Sequence, residues 1–227
     1  MRTKDPADVA PAVTMTVFHD VLCVWAYVAQ VRIDEAKAEF GAQLEIVPRC
    51  CSVFGDTAAK IGVGWADRDG YDGFNRHVRA VAGRFEHIDV DPRVWLDTRP
   101  ASSLGAHLTI KALQHVDHAL ADAFTRALRA AFFVECLDIG RWSVQRDVLQ
   151  LVGADVPAVE ATLESGVAHA ALASDIAAAE EARIQGSPTF VLNEGRQVLY
   201  GNVGYLVLQA NIRELLRTPN AENASWC

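Results

Sequence analysis

No stretch of the 227 residues is apolar for long enough to cross a bilayer, which takes about 20 consecutive apolar residues. The first residues, Met1 to Pro11, carry Pro, Asp and Lys where a secretory leader would need an apolar core. Neither a membrane partner nor export is therefore expected. Basic residues are in deficit: 21 Lys and Arg stand against 29 Asp and Glu, a net charge of -8. Nucleic acid is not expected as a partner, because phosphate binding relies on a positive surface. Blocks of like charge, linkers rich in Gly, Ser or Pro, and internal repeats are all missing. Their absence excludes long disordered tails and repeat arrays.

Cysteine is sparse and irregular. The five thiols, Cys23, Cys50, Cys51, Cys136 and Cys227, are an odd number without the spacing of a zinc site. Free thiols in a reducing cytoplasm are expected, and not a disulfide framework. His107, His115 and His118 share one helical stretch with no matching set of carboxylates or thiols, so no metal is expected. Apolar material is plentiful, at 51% hydrophobic residues and a mean hydropathy of +0.09. That suffices for one large domain or for a domain carrying an inserted subdomain.

Val13 to Phe18 alternates apolar and β-branched residues and predicts a buried strand. From Cys23 the pattern turns helical, with Val24, Val28 and Val31 on one face and Gly41 placed to cap the end. Leu44 to Val47 predicts a second strand, closed by Pro48, which makes a β-α-β unit. Residues 56–184 read as helical throughout. Apolar stripes run through Phe74–Phe85, Leu104–Val116, Leu120–Phe132 and Val144–Val152, with Ser143 as an N-cap. A fifth helix starts near Pro157, and a sixth contains Leu172 and Ile176. Thr189–Leu192 and Gln197–Tyr200 read as a hairpin, and Tyr205–Leu216 as a last amphipathic helix. The expected organisation is α/β, with residues 13–55 and 185–217 forming one discontinuous unit and residues 56–184 a helical insertion.

Two segments carry chemistry. In Asp20-Val21-Leu22-Cys23-Val24-Trp25-Ala26-Tyr27, the thiol follows a strand and opens a helix, where unpaired N–H groups and the positive end of the helix dipole favour thiolate. A buried structural cysteine is the alternative. In Gly186-Ser187-Pro188-Thr189-Phe190, a proline stands at the entrance of a strand.

Together these segments resemble the thioredoxin superfamily, and in particular its DsbA-like branch. That branch holds FrnE-type oxidoreductases, kappa-class glutathione transferases and 2-hydroxychromene-2-carboxylate isomerases. The stretches Ser102–His107 and Ala131–Glu135 are similar to the family's insertion helices, so the resemblance covers about Val13 to Leu216. It implies a thioredoxin fold with a helical domain inserted between the second and third strands. It also implies a cis-proline at Pro188 and a Ser187 backbone that binds peptide or glutathione main chain. Trp25 would stand at the mouth of the site, and Trp65, Arg68, Asn75, Arg76 and His77 would belong to a lid.

The departures from the family pattern set the functional expectation. The dithiol motif is here Cys23-Val24-Trp25-Ala26, so a mixed disulfide on Cys23 has no neighbouring attacker. Kappa transferases and chromene isomerases carry Ser at this position, and kappa enzymes carry an Asp-bearing segment where this chain reads Tyr200-Gly201-Asn202-Val203-Gly204. Cys50 and Cys51 follow the second strand, either as a resolving thiol or as packing at the sheet edge. His19 either stabilises a Cys23 thiolate as an imidazolium or simply caps the strand. The first expectation is a single-cysteine thiol–disulfide oxidoreductase. A glutathione-dependent transferase or isomerase for a small hydrophobic substrate, and a redox-inactive binding protein, are the alternatives. No tightly bound cofactor is expected, with glutathione as a cosubstrate and a homodimer as the family's common state.

Overall fold

The computed structural model describes residues 12–218, so the leader reading and Cys227 lie outside the described residues. Four strands form one sheet: β1 (Val13–His19), β2 (Leu44–Cys50), β3 (Thr189–Leu192) and β4 (Gln197–Tyr200), in the order β2-β1-β3-β4. β1 pairs parallel with β2 and antiparallel with β3, and β3 pairs antiparallel with β4. Helix α1 (Val24–Phe40) makes the β1–β2 crossover. Six helices stand between β2 and β3: α2 (Gly70–Ala82), α3 (Leu104–Val116), α4 (Leu120–Phe133), α5 (Trp142–Leu151), α6 (Val156–Glu164) and α7 (Val167–Glu181). Helix α8 (Tyr205–Arg217) closes the described chain. This is the mixed α/β architecture of a DsbA-like thioredoxin fold.

The strand period decides what each face meets. Val13, Met15 and Val17 project to one side of β1 and pack with Ala29, Ala36 and Phe40 of α1 and Leu208, Ile212 and Leu215 of α8. Phe18 projects to the other side, against Cys51, Val191 and Ala179 of α7. A larger cluster fills the helical block and reaches Cys23, Val24, Ala26 and Val28 at the start of α1. Its aromatic centre is Trp95, fully buried, with Phe132 edge-on at 5.0 Å and Phe54 stacked at 5.7 Å.

Three local expectations differ from what is observed. Pro48 does not end β2, which runs on to Cys50. β2 is an edge strand, and a proline there costs no ladder bond on its free side. Val31 is 44% exposed, because the stripe of α1 facing the helices ends at Val28 and only the sheet-facing stripe continues to Phe40. Helix α5 starts at Trp142 with Arg141 in the cap position, which places Ser143 inside the first turn. Gly41 does end α1, at φ 50° and ψ −128°, a conformation that strains any residue with a Cβ.

Asp175 of α7 ties these layers together. Its carboxylate accepts from the Cys50 N–H at 2.9 Å and meets Lys111 of α3 at 2.8 Å and Arg49 of β2 at 3.3 Å. An Asp175→Ala variant leaves a buried N–H and a largely buried ammonium without their acceptor. We expect it to lose about 2–4 kcal/mol, read as a lower urea midpoint at unchanged slope.

Candidate functional site around Cys23

The turn between β1 and α1 is fixed by a carboxylate that sees no water. Asp20 is fully buried. Its Oδ1 accepts from the Leu22 N–H at 3.0 Å, and its Oδ2 from the Phe54 N–H and the Ser103 hydroxyl, both at 2.8 Å. The Asp20 N–H in turn donates to Ser187 Oγ at 2.9 Å, and the Val21 N–H donates to His107 Nε2 at 3.1 Å. Segments far apart in sequence thus converge on four residues before the helix.

His107 is itself completely buried and sits 3.7 Å from Asp20 Oδ1. This is not an ion pair. Burial holds the imidazole below its ordinary pKa of 6.5, although Asp20 pulls the other way. Nε2, as the acceptor for Val21, carries no proton, which leaves Nδ1–H without a partner among the described residues.

Cys23 occupies the N-cap of α1 and is 6% exposed. Its Sγ–H donates to the Ser187 carbonyl at 3.1 Å, and the Ser187–Pro188 peptide bond is cis. Burial raises the thiol pKa above the ordinary 9.0, with the Asp20 charge adding to it. Hydrogen bonds from Ala26, the Ser187 side chain and Trp25 work against that rise without reversing it. The lowered pKa expected from the helix N-terminus is therefore not found, because desolvation outweighs the donors.

His19 does not act as an imidazolium either. It is buried, and burial, reinforced by Arg129, keeps its pKa well below 6.5. Its Nδ1 lies 3.3 Å from Arg129 Nη2 and serves as the acceptor. Arg129 of α4 is 3% exposed, and its other contact is Gln30 Oε1 at 2.7 Å. Burial lowers even its guanidinium to about 10.

Ala26 is buried beside Pro188 in the same cleft wall, and Trp25 is half-buried, edge-on to Phe85. Asn202 is exposed next to Gly201, whose N–H donates to the Pro188 carbonyl at 2.9 Å. Gly186 leaves space for the Tyr200 ring, since a Cβ there would lie 2.5 Å from the phenol oxygen. Cys50 shares the cluster that contains Cys23, whereas Cys51 faces α7, so the two thiols part as vicinal residues of a strand do. Burial lifts the pKa of both far above the ordinary range. Of the lid residues, Asn75 is buried and bonds the Pro92 and Val94 carbonyls, and Trp65 packs on Phe74 under the Arg68 guanidinium. Arg76 pairs with Asp69, and His77 lies against Trp65. Sequence reasoning passed over Asp20, Ser103, His107 and Arg129 as site residues.

The DSBA-like thioredoxin domain model matches residues 14–213. A search of curated proteins gives no match. Among solved structures, a probable DsbA oxidoreductase from Streptomyces coelicolor superposes with a TM-score of 0.71 at 19% identity, covering 95% of this chain and 93% of its own. The cytosolic disulfide reductase DsbM from Pseudomonas aeruginosa with GSH gives 0.65 at 19%, covering 88% and 99%. A 2-hydroxychromene-2-carboxylate isomerase gives 0.65 at 21%, covering 90% and 96%. At these identities the likeness is one of fold.

Two outcomes follow from the buried polar groups. Asp20→Asn replaces acceptor lone pairs by N–H donors facing N–H donors. We expect a loss of about 2–4 kcal/mol in urea denaturation, together with a more acidic Cys23 thiol, since a charge that opposes its ionisation is gone. His19 and His107 stay neutral when folded but take up protons when unfolded. Stability should therefore be present above their ordinary value of 6.5 and decline as pH falls below it. Urea midpoints between about pH 7 and pH 5 read this, and His107→Gln should flatten the slope.

Proposed function

Because this chain belongs to the DSBA-like thioredoxin domain family, we propose that it is a single-cysteine thiol–disulfide exchange enzyme with Cys23 as nucleophile and glutathione as the resolving thiol. The observation that carries this reading is the position of Cys23 Sγ, at the N-terminus of α1 and 3.1 Å from the Ser187 carbonyl beside cis-Pro188. Catalytic use of Cys23 and Pro188 is assigned on that ground. Ser187, Trp25, Ala26, His19 and Asn202 form the surroundings in which substrate and thiol bind.

The steps balance with glutathione as the reductant. Cys23 loses its proton to solvent, and the thiolate attacks the glutathione sulfur of a mixed disulfide between glutathione and the substrate. One S–S bond forms, one breaks, and the departing thiolate takes up a proton. A glutathione thiolate then attacks the glutathione sulfur of the mixed disulfide, which frees Cys23 and releases glutathione disulfide. Ala26 offers no internal thiol for this second step. Cys50 and Cys51, buried and held protonated, are poor resolving thiols. Four unpaired cysteines among the described residues support a place in a reducing cytoplasm.

A second reading rests on the same thiol. A Cys23 kept protonated at neutral pH resembles a hydroxyl donor more than a thiolate. That suits a glutathione-dependent isomerase or transferase acting on a small hydrophobic substrate.

Intact mass after exposure to glutathione disulfide separates the two. Exchange predicts one adduct on Cys23, absent in Cys23→Ser, released by reduced glutathione at the same rate in a Cys50→Ala/Cys51→Ala variant. Its rate should rise about tenfold per pH unit through neutrality, without a plateau below about pH 9. A wild type that stays unmodified would overturn the exchange reading, and glutathione-dependent isomerisation retained in Cys23→Ser would establish the other.

A further inference from the structure

Beside the thiol site, α1, the β1–β2 edge of the sheet and α4 enclose a cleft of about 460 Å³. One wall is aliphatic, with Val17, Leu44, Ile46 and Pro48 from the sheet and Ile33 from α1, and the facing side is polar, with Gln30, Lys37, Gln114 and Thr125 among its residues. No Phe, Tyr or Trp lines it, and its aromatic rings are the small imidazoles of His19 and His118. At the inner end stands Arg129. This guanidinium is buried, its two hydrogen-bond partners are the neutral Gln30 amide and the neutral His19 ring, and its Nε–H has no partner among the described residues.

The neighbouring cation is satisfied in a different way. Arg126, one turn back on α4, meets both Asp34 and Asp122. The cleft's carboxylates, Asp34 and Asp122, contact the half-exposed arginine, whereas the buried one feels Asp122 and Asp20 only through space and hydrogen-bonds to no carboxylate among the described residues. A charge taken out of water without a counter-charge is costly. A ligand that brings one recovers that cost and leaves its apolar remainder against the aliphatic wall.

We propose that this cleft binds an aliphatic monocarboxylate, with the carboxylate on Arg129 and the hydrocarbon chain along Val17, Ile33, Leu44 and Ile46. The site adjoins that of disulfide exchange: it runs along α4 and along α1 from Ala26 to Lys37, and it shares His19, Ala26 and Pro188 with the surroundings of the thiol.

Calorimetric titration with octanoate, against 1-octanol as the uncharged control, tests it. Wild type should bind octanoate at least about tenfold more tightly than octanol, the range a charge-assisted hydrogen bond supplies. Arg129→Met should lose about 10- to 100-fold for octanoate, with octanol little changed. If that variant fails to fold, Ile46→Trp narrows the cleft with Arg129 intact and should lose both ligands. Equal octanoate affinity in wild type and folded Arg129→Met would overturn the proposal. So would the absence of octanoate binding at about 10 mM, or tighter binding of 2-naphthoate, an aromatic acid, than of octanoate.

Discussion

A carboxylate withdrawn wholly from water has to find its donors inside the protein, and Asp20 finds them in three separate pieces of chain. Leu22 belongs to its own turn, Phe54 to the connection after β2, and Ser103 to the start of α3. Ser187 adds a fourth piece by accepting the Asp20 N–H. Any relaxation of one segment exposes a charge or strands a donor, so the four are held as one unit. The helical block and the sheet thereby share a joint, and the thiol stands three residues from its centre.

The same burial that makes the joint rigid sets the chemistry of its neighbours. Burial shifts Cys23, His19, His107 and Arg129 each toward its neutral form, although Arg129, lowered to about 10, remains a cation at neutral pH. Donors at the end of α1 stabilise a thiolate, but they act at the boundary of a desolvated pocket and are outweighed there. A nucleophile in these surroundings is gated by pH and by access. Its reactivity depends both on the small thiolate fraction, which grows with pH, and on how often a substrate reaches the buried sulfur.

Much of this architecture was legible in the sequence because it rests on period and punctuation. The alternation of Val13, Met15 and Val17, the stop at Gly41, and the spacing Phe124, Leu128, Phe132 each report a face that must be buried. Cys23 and Pro188 were legible as a pair through the resemblance to the DsbA-like branch, since alone the one reads as a helix-opening thiol and the other as a turn. The polar half of the site was not. His107 lies on α3, which is packed against α4, α5, α6 and α7, so polar residues on it become core residues only through tertiary surroundings. Arg129 left a faint trace: Thr125, Arg129 and Phe133 follow at four-residue spacing beside the apolar stripe, and all three are buried. An arginine in such a row reads as solvent-facing until the opposite wall is known.

Order in time follows from the span of these contacts. The Cys23 thiol and its acceptor at Ser187 are separated by 164 residues, and Asp20 and Ser187 by 167. A ribosome that delivers the chain from its N-terminus exposes Cys23 long before the segment that covers it exists. During that interval the cysteine is an ordinary accessible thiol with an ordinary acidity. The growing chain is thus most open to oxidation before the fold is complete, because the segment that shields Cys23 is synthesised 164 residues after it.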